Sequence, residues 1–173
     1  MEVPSRSWLD PQIAVRPSPI HGRGLYALRF IERGAVVEVL GGTTLTDAEV
    51  RDLLRRGDRY DGIALDVDLN LRIEPAAWPG IYGNHSCDPN LWMLDAFSVA
   101  ARRDIPVDEE LTVDYALFTA NSDWSMACNC GSSLCRKVIT GNDWERPDLQ
   151  DRYRGFFAPA IARLFGPGET DPA

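Results

Sequence analysis

The sequence predicts a mostly β core interrupted by one helix and followed by a broken helical tail. Three observations carry this. Short runs rich in Val, Ile and Leu recur from about residue 11 to residue 115, each bounded by Gly, Pro, Asp or Asn, the usual frame of a strand. One run among them is capped and amphipathic, and beyond about Gly141 apolar residues return at helical spacing.

In chain order the candidate strands are IAV (13–15), GLYAL (24–28), AVVEVL (35–40), IALDVD (63–68), LNLRIE (69–74), FSVAA (97–101) and ELTV (110–113). The internal helix lies in TDAEVRDLLRRGD. Thr46 is its N-cap, Glu49 three residues on completes a capping box, and Val50, Leu53 and Leu54 form one apolar face. Gly57 serves as the stop. In the tail, RPDLQDRYRGFF spaces Leu149, Tyr153, Phe156 and Phe157 helically, and PAIARLFGPG begins on Pro159 and ends at Gly166. The aromatic face of this appendage is expected to pack on the core.

With 173 residues the chain is one ordinary domain with appendages, long enough to bury a core without staples. Its net charge of −8 argues against sequence-independent binding to nucleic acid or an anionic membrane, and favours basic partners. No apolar run reaches spanning length, and MEVPSRSWLD lacks the layout of a signal peptide, so a cytoplasmic setting is expected. Cysteines there are reduced thiols or metal ligands rather than disulfides.

Three of the four cysteines, Cys128, Cys130 and Cys135, sit in CNCGSSLC, and the fourth is Cys87 in GNHSCDPN. A structural zinc ion takes four thiolate or imidazole ligands, so three in one short segment are one short of closure. Cys87 is the remaining cysteine, and a zinc site of these four would clamp the segment near 130 to the loop at 87. Four unrelated thiols are the competing reading.

HGRGLYA combines a tight turn with a strand start, its glycines allowing positive φ and close backbone approach. It lacks the ending of a P-loop and the third glycine of a dinucleotide fingerprint, and a plain hairpin turn accounts for it equally. DEELTVDYA, taken alone, reads as a surface turn, a strand and a core tyrosine.

Taken in order, GRGLYA, NHSCDPN, EELTVDY and CNCGSSLC resemble the SET-domain protein-lysine methyltransferases, the last segment being similar to their post-SET zinc motif. The resemblance spans about residues 15–141. It implies a SET fold of small twisted sheets with a pseudoknot over 11–118, a post-SET-like segment over 119–141 and a helical tail over 142–173. No cysteine precedes Cys87, so a zinc pre-SET module is not expected and the chain looks like a minimal member.

The resemblance also implies the site. Gly22, Arg23, Gly24 and Leu25 would contact S-adenosylmethionine through the backbone, and Asn84 and His85 would hold its adenine and amino-acid ends. Tyr115 would be the catalytic tyrosine beside the transferring methyl, also touching the cofactor, and Cys87 would join Cys128, Cys130 and Cys135 on structural zinc. Tyr60 lies where such enzymes often carry a tyrosine beside the lysine channel, with a core tyrosine as the competing reading. Asp88-Pro89-Asn90 would turn the chain into the next strand. The implied reaction is methyl transfer to a lysine ε-amine of a protein or peptide, expected to be basic, by a monomer or weak dimer.

The sequence departs from the family at Ile81, where a basic residue usually precedes the aromatic kept as Tyr82, at Asp108 in place of a common glycine, and at Val113 in place of a frequent aromatic. Two rivals compete with this reading. One is an inactive, zinc-clipped interaction module of the same fold. The other is a thiol enzyme built on Cys87 and His85, disfavoured because residues two apart in a proline-bound turn seldom face each other as nucleophile and base.

Overall fold

The computed structural model describes residues 2–75 and 78–165 and adopts the mostly β architecture expected. The strands of its first half are β1 (Trp8–Leu9), β2 (Ile13–Pro17), β3 (Arg23–Ala27), β4 (Val36–Val39), β5 (Gly42–Leu45), β6 (Gly62–Asp66) and β7 (Leu69–Ile73), with helix α1 (Asp47–Arg55) before β6. There follow β8 (Asn84–His85), β9 (Leu91–Met93), β10 (Ser98–Ala101), β11 (Glu110–Val113), β12 (Ser125–Ala127) and β13 (Val138–Thr140). Two short helices close the described chain, α2 (Pro147–Arg152) and α3 (Pro159–Ala162).

The strands form small sheets rather than one large one. Two are four-stranded, ordered β1-β4-β10-β9 and β2-β3-β11-β8; a three-stranded sheet β5-β7-β6 carries α1, and β12 pairs with β13. Pairing is antiparallel except between β8 and β11. One apolar cluster, including Leu25, Ile31, Leu71, Met93, Ile105 and Leu111, joins the larger sheets, and a smaller one of Cys87, Cys128 and Ile139 lies beneath the β12–β13 hairpin. Among the described residues no helix is long and apolar enough to cross a membrane.

Each expected strand is present with ends shifted by a residue or two, as fraying boundaries allow. β1, β5, β8, β12 and β13 were not expected. They are two to four residues long, and several are polar, so no alternating run marks them; they exist because a partner strand supplies hydrogen bonds. β9 is the strand into which Asp88-Pro89-Asn90 turns the chain.

Helix α1 keeps its expected cap: the Thr46 hydroxyl accepts from Glu49 N, and the Glu49 carboxylate accepts from Thr46 N. Its apolar face is narrower than expected. Leu53 is buried, Val50 half-buried and Leu54 exposed, because the helix rests only on the small sheet through β5 and β7. Thr46→Ala is expected to lower unfolding stability by about 1 kcal/mol, with Thr46→Ser nearly neutral, as read from denaturant midpoints. A loss within error for the alanine variant refutes the cap's contribution.

The tail is broken and packs as expected. Leu149, Tyr153, Phe157 and Ile161 are buried in the main core, and the Phe156 ring stacks on Trp92 with centroids 3.3 Å apart. Only α2 is regular through Leu149. Tyr153, Phe156 and Phe157 lie in the non-helical stretch between α2 and α3, so the aromatic spacing is met by a bent chain. The expected stop at Gly166 lies outside the described residues.

Candidate functional site

The site forms where β8 runs parallel to β11, with Asn84 opposite Thr112 and His85 opposite Val113. Two residues cannot hold a strand alone, and buried Asn90 supplies the anchor. Its Oδ1 accepts from Thr112 N at 2.8 Å, and its Nδ2 donates to Glu110 O and Glu109 Oε1, each at 2.8 Å. The asparagine thereby mimics backbone pairing and returns the polar loop to the sheet. Asp108, at the turn before β11, has φ 66°, which explains why glycine would suit that position; Asp tolerates it and pairs with Arg16 at 2.6 Å.

Tyr115 lies one residue beyond β11, after Asp114. Its hydroxyl donates to Gly83 O at 2.9 Å, and its ring meets His85 edge-on, with Phe118 and Trp124 on other sides. Burial raises its pKa, so the phenol is neutral and donates its proton to Gly83 O.

His85 is buried and faces inward. Its Nδ1 accepts from Tyr115 N at 3.2 Å, which places the ring proton on Nε2, 3.3 Å from Cys87 Sγ. Burial lowers its pKa to about 4, with Asp114 only partly opposing this. The expectation that His85 and Cys87 do not face each other is therefore corrected. They do meet, but the imidazole donates to the sulfur and has no free lone pair with which to act as its base. With both ring nitrogens engaged, any ligand contact at His85 falls to its main chain.

Asn84 lies against the glycine turn. Its Nδ2 is 2.9 Å from Arg23 O and 2.7 Å from Glu110 Oε1, with Ser18 Oγ and His21 O slightly farther. Gly22 takes φ 48°, and a side chain there would meet open space. Gly24 serves otherwise: a Cβ on it would collide with the Glu110 carboxylate, so this glycine admits the protein's own acid. Leu25 is buried beside Gly83. The Arg23 guanidinium stands 4.8 Å from the centroid of Tyr82, so a basic group does reach the aromatic despite Ile81, arriving from the glycine turn.

The four cysteine sulfurs all lie within 4.8 Å of one another, and none is in a disulfide. Tetrahedral zinc with Zn–S near ~2.3 Å spaces its sulfurs about 3.8 Å apart. Cys87 Sγ and Cys128 Sγ are 3.7 Å apart, so the donor set and its spacing fit such an ion. Cys87 Sγ also accepts from Arg136 N at 3.3 Å, and with His85 this gives it two N–H donors suited to a thiolate.

A charged network beside the site was not legible in the sequence. Asp114 is fully buried and accepts both arms of Arg136 at 2.7 and 2.8 Å, the Tyr153 hydroxyl at 3.1 Å and Ala116 N at 3.1 Å. Burial alone would lower the Arg136 pKa, but Asp114 holds it above the usual range. Asp143 Oδ2 lies 2.9 Å from Arg136 Nε without hydrogen-bond alignment. Arg152 donates to Cys87 O at 3.0 Å. Tail, cysteine segment and β11 thus meet at one carboxylate. An acid immediately before Tyr115 and an arginine immediately after Cys135 were the available signals, but no spacing links them.

Tyr60 stands apart. Its hydroxyl reaches Leu71 O at 3.4 Å, burial raises its pKa to about 12, and among the described residues no hydrogen bond or ring contact joins it to Tyr115.

The β-rich domain thus gathers a glycine turn, a buried polar loop and a tyrosine beside a four-cysteine cluster whose spacing fits a metal ion. The sequence model of the SET domain family matches residues 22–116, more than half of the chain, and the chain belongs to that family. It is 34% identical over 138 residues to histone-lysine N-methyltransferase trithorax of Drosophila virilis, covering 73% of this chain and 4% of that protein. It is 30% identical over 151 residues to histone-lysine N-methyltransferase SUV39H2 of Xenopus tropicalis, covering 68% of this chain and 36% of that protein. The chain thus spans a minor part of these relatives. The methyltransferase domain of human histone-lysine N-methyltransferase SETMAR superposes with a TM-score of 0.55 at 24% identity, covering 73% of this chain and 57% of that one, which is a likeness of fold.

Proposed function

We propose that this chain transfers a methyl group from S-adenosylmethionine to the ε-amine of a lysine in a basic protein or peptide. The observation that carries the reading is Tyr115, whose half-buried, neutral hydroxyl is fixed to Gly83 O at 2.9 Å where the glycine turn, Asn84 and β11 converge. The cofactor supplies an electrophilic methyl on a sulfonium. Asn84 and the turn at Gly22–Gly24 would bind it, since Gly22 leaves open space and no donor among the described residues occupies Asn84 Oδ1. Tyr115 would orient the incoming amine by its phenol oxygen. The amine attacks only when neutral, and its ordinary pKa is about 10.4, so a partly desolvated channel serves by lowering that value and aligning the reactants. The net charge of −8 favours a lysine-rich acceptor.

The test is incubation with isotopically labelled S-adenosylmethionine and either histone tails or a cell lysate, read by mass spectrometry. Labelled methyl-lysine is expected. Cofactor binding without a labelled lysine in either mixture overturns the enzyme reading in favour of a binding module.

We further propose that Cys87, Cys128, Cys130 and Cys135 hold structural zinc. Elemental analysis is expected to find one zinc per chain, and Cys128→Ser to lose it and lower the melting temperature by about 10 °C or more. Metal-free protein as stable as the zinc-replete form refutes the assignment.

A further inference from the structure

Glu110 has been given no role so far, yet its carboxylate meets Asn84 and the residues around the glycine turn. Its Oε1 receives Asn84 Nδ2 at 2.7 Å and Ser18 Oγ at 2.8 Å, and its Oε2 receives the Tyr26 hydroxyl at 3.0 Å and Ser18 Oγ at 2.9 Å. Gly24 is bare on the side where this carboxylate approaches, and any side chain there would displace it.

The consequence falls on Asn84. An asparagine amide presents two donors on nitrogen and an acceptor on oxygen, and which end points where is set by its neighbours. Around Asn84 Nδ2 stand two main-chain carbonyls, a carboxylate and a hydroxyl already committed as donor to that carboxylate. All of them accept or are unavailable as donors to Oδ1, so the amide nitrogen is forced toward Glu110 and Arg23 O. Oδ1 is left facing away from them, with no hydrogen-bond donor among the described residues and with Asn84 almost wholly buried. Oδ1 itself is not sealed from solvent, so it stands as an open acceptor that a ligand bringing an N–H can reach.

Resting on the methyltransferase reading, we infer that Glu110 is a positioning residue: it fixes the Asn84 amide so that Oδ1 is offered to the ammonium group of the cofactor's amino-acid end. Glu110 itself does not touch the cofactor. Removing its carboxylate takes away the shortest acceptor of Asn84 Nδ2 and releases the Ser18 hydroxyl to donate to a flipped Oδ1; Arg23 O and His21 O then hold the amide less strictly, and the flipped orientation presents N–H to the ammonium for part of the time. The selectivity of the site for an ammonium falls, while the contacts to the rest of the ligand are unchanged.

Titration calorimetry with two probes isolates this effect, S-adenosylhomocysteine and its deamino analogue, in which hydrogen replaces the ammonium. Wild-type protein is expected to prefer the amine-bearing probe by at least tenfold. Glu110→Ala is expected to bind that probe about tenfold more weakly, bind the deamino analogue within threefold of wild type, and so lose the preference. Glu110→Gln keeps an acceptor for Asn84 and is expected to keep most of the preference. Glu110→Asp withdraws the carboxylate by one methylene and is expected to behave like alanine, which covers the case in which the alanine variant does not fold. A variant that weakens both probes by the same factor, or leaves the preference intact, shows that Glu110 serves only stability and overturns the inference alone. Wild-type protein that binds neither probe removes the cofactor reading and this inference with it.

Discussion

Asp114→Ala is expected to destabilise the protein by about 3–5 kcal/mol, because it strands the Arg136 guanidinium in the interior with only the misaligned Asp143 nearby. The variant also leaves the Tyr153 hydroxyl and Ala116 N without their acceptor. For a chain of this length the loss is about 10 °C or more in melting temperature. The double variant Asp114→Ala with Arg136→Met removes both charges and is expected to recover a large part of that loss, since a missing ion pair costs less than half of one. Calorimetric melting of the two variants decides the matter. A cost below about 1 kcal/mol for Asp114→Ala would mean that the tail and the cysteine segment are not held through this carboxylate.

Tyr115→Phe is expected to lower turnover by about 10²-fold or more while S-adenosylmethionine binds within a few-fold of wild type. The ring contacts with His85, Phe118 and Trp124 survive the change, so packing persists and only the phenol oxygen is lost. The pH dependence separates two roles. Because burial raises the phenol's pKa, the folded state holds that proton more tightly than the unfolded chain does; the resulting stability is complete below about pH 10 and is lost as pH rises through the raised value. Tyr115 therefore stays protonated while the substrate amine is becoming neutral. The rising limb of activity with pH belongs to the lysine, and Tyr115→Phe should lower its plateau without displacing it. Wild-type turnover in the variant refutes the assigned role, and a displaced limb would make Tyr115 a base after all.

The strands of the core were legible because their apolar runs are long enough to carry a pattern, and helix α1 because Thr46 and Glu49 sit three apart at its start. The cysteine cluster was legible by counting, since three sulfur ligands in one segment call for a fourth and the chain holds one more cysteine. The short polar strand β8 was not, as two residues have no period. Leu54 was misplaced on the buried face of α1, because a helical pattern gives the direction of a side chain and not the width of the surface that receives it.

The sequence by itself determined the β class, the capped helix, the grouping of the four cysteines and the membership implied by four motifs in order. These are properties of local pattern, composition and count. Only the tertiary structure decided that His85 donates to Cys87, that Gly24 makes room for Glu110, and that Asp114, Arg136 and Tyr153 share one buried network. Those contacts join residues far apart along the chain, and their direction depends on which polar group reaches a buried partner first, a matter of distance and desolvation that no spacing in the sequence records.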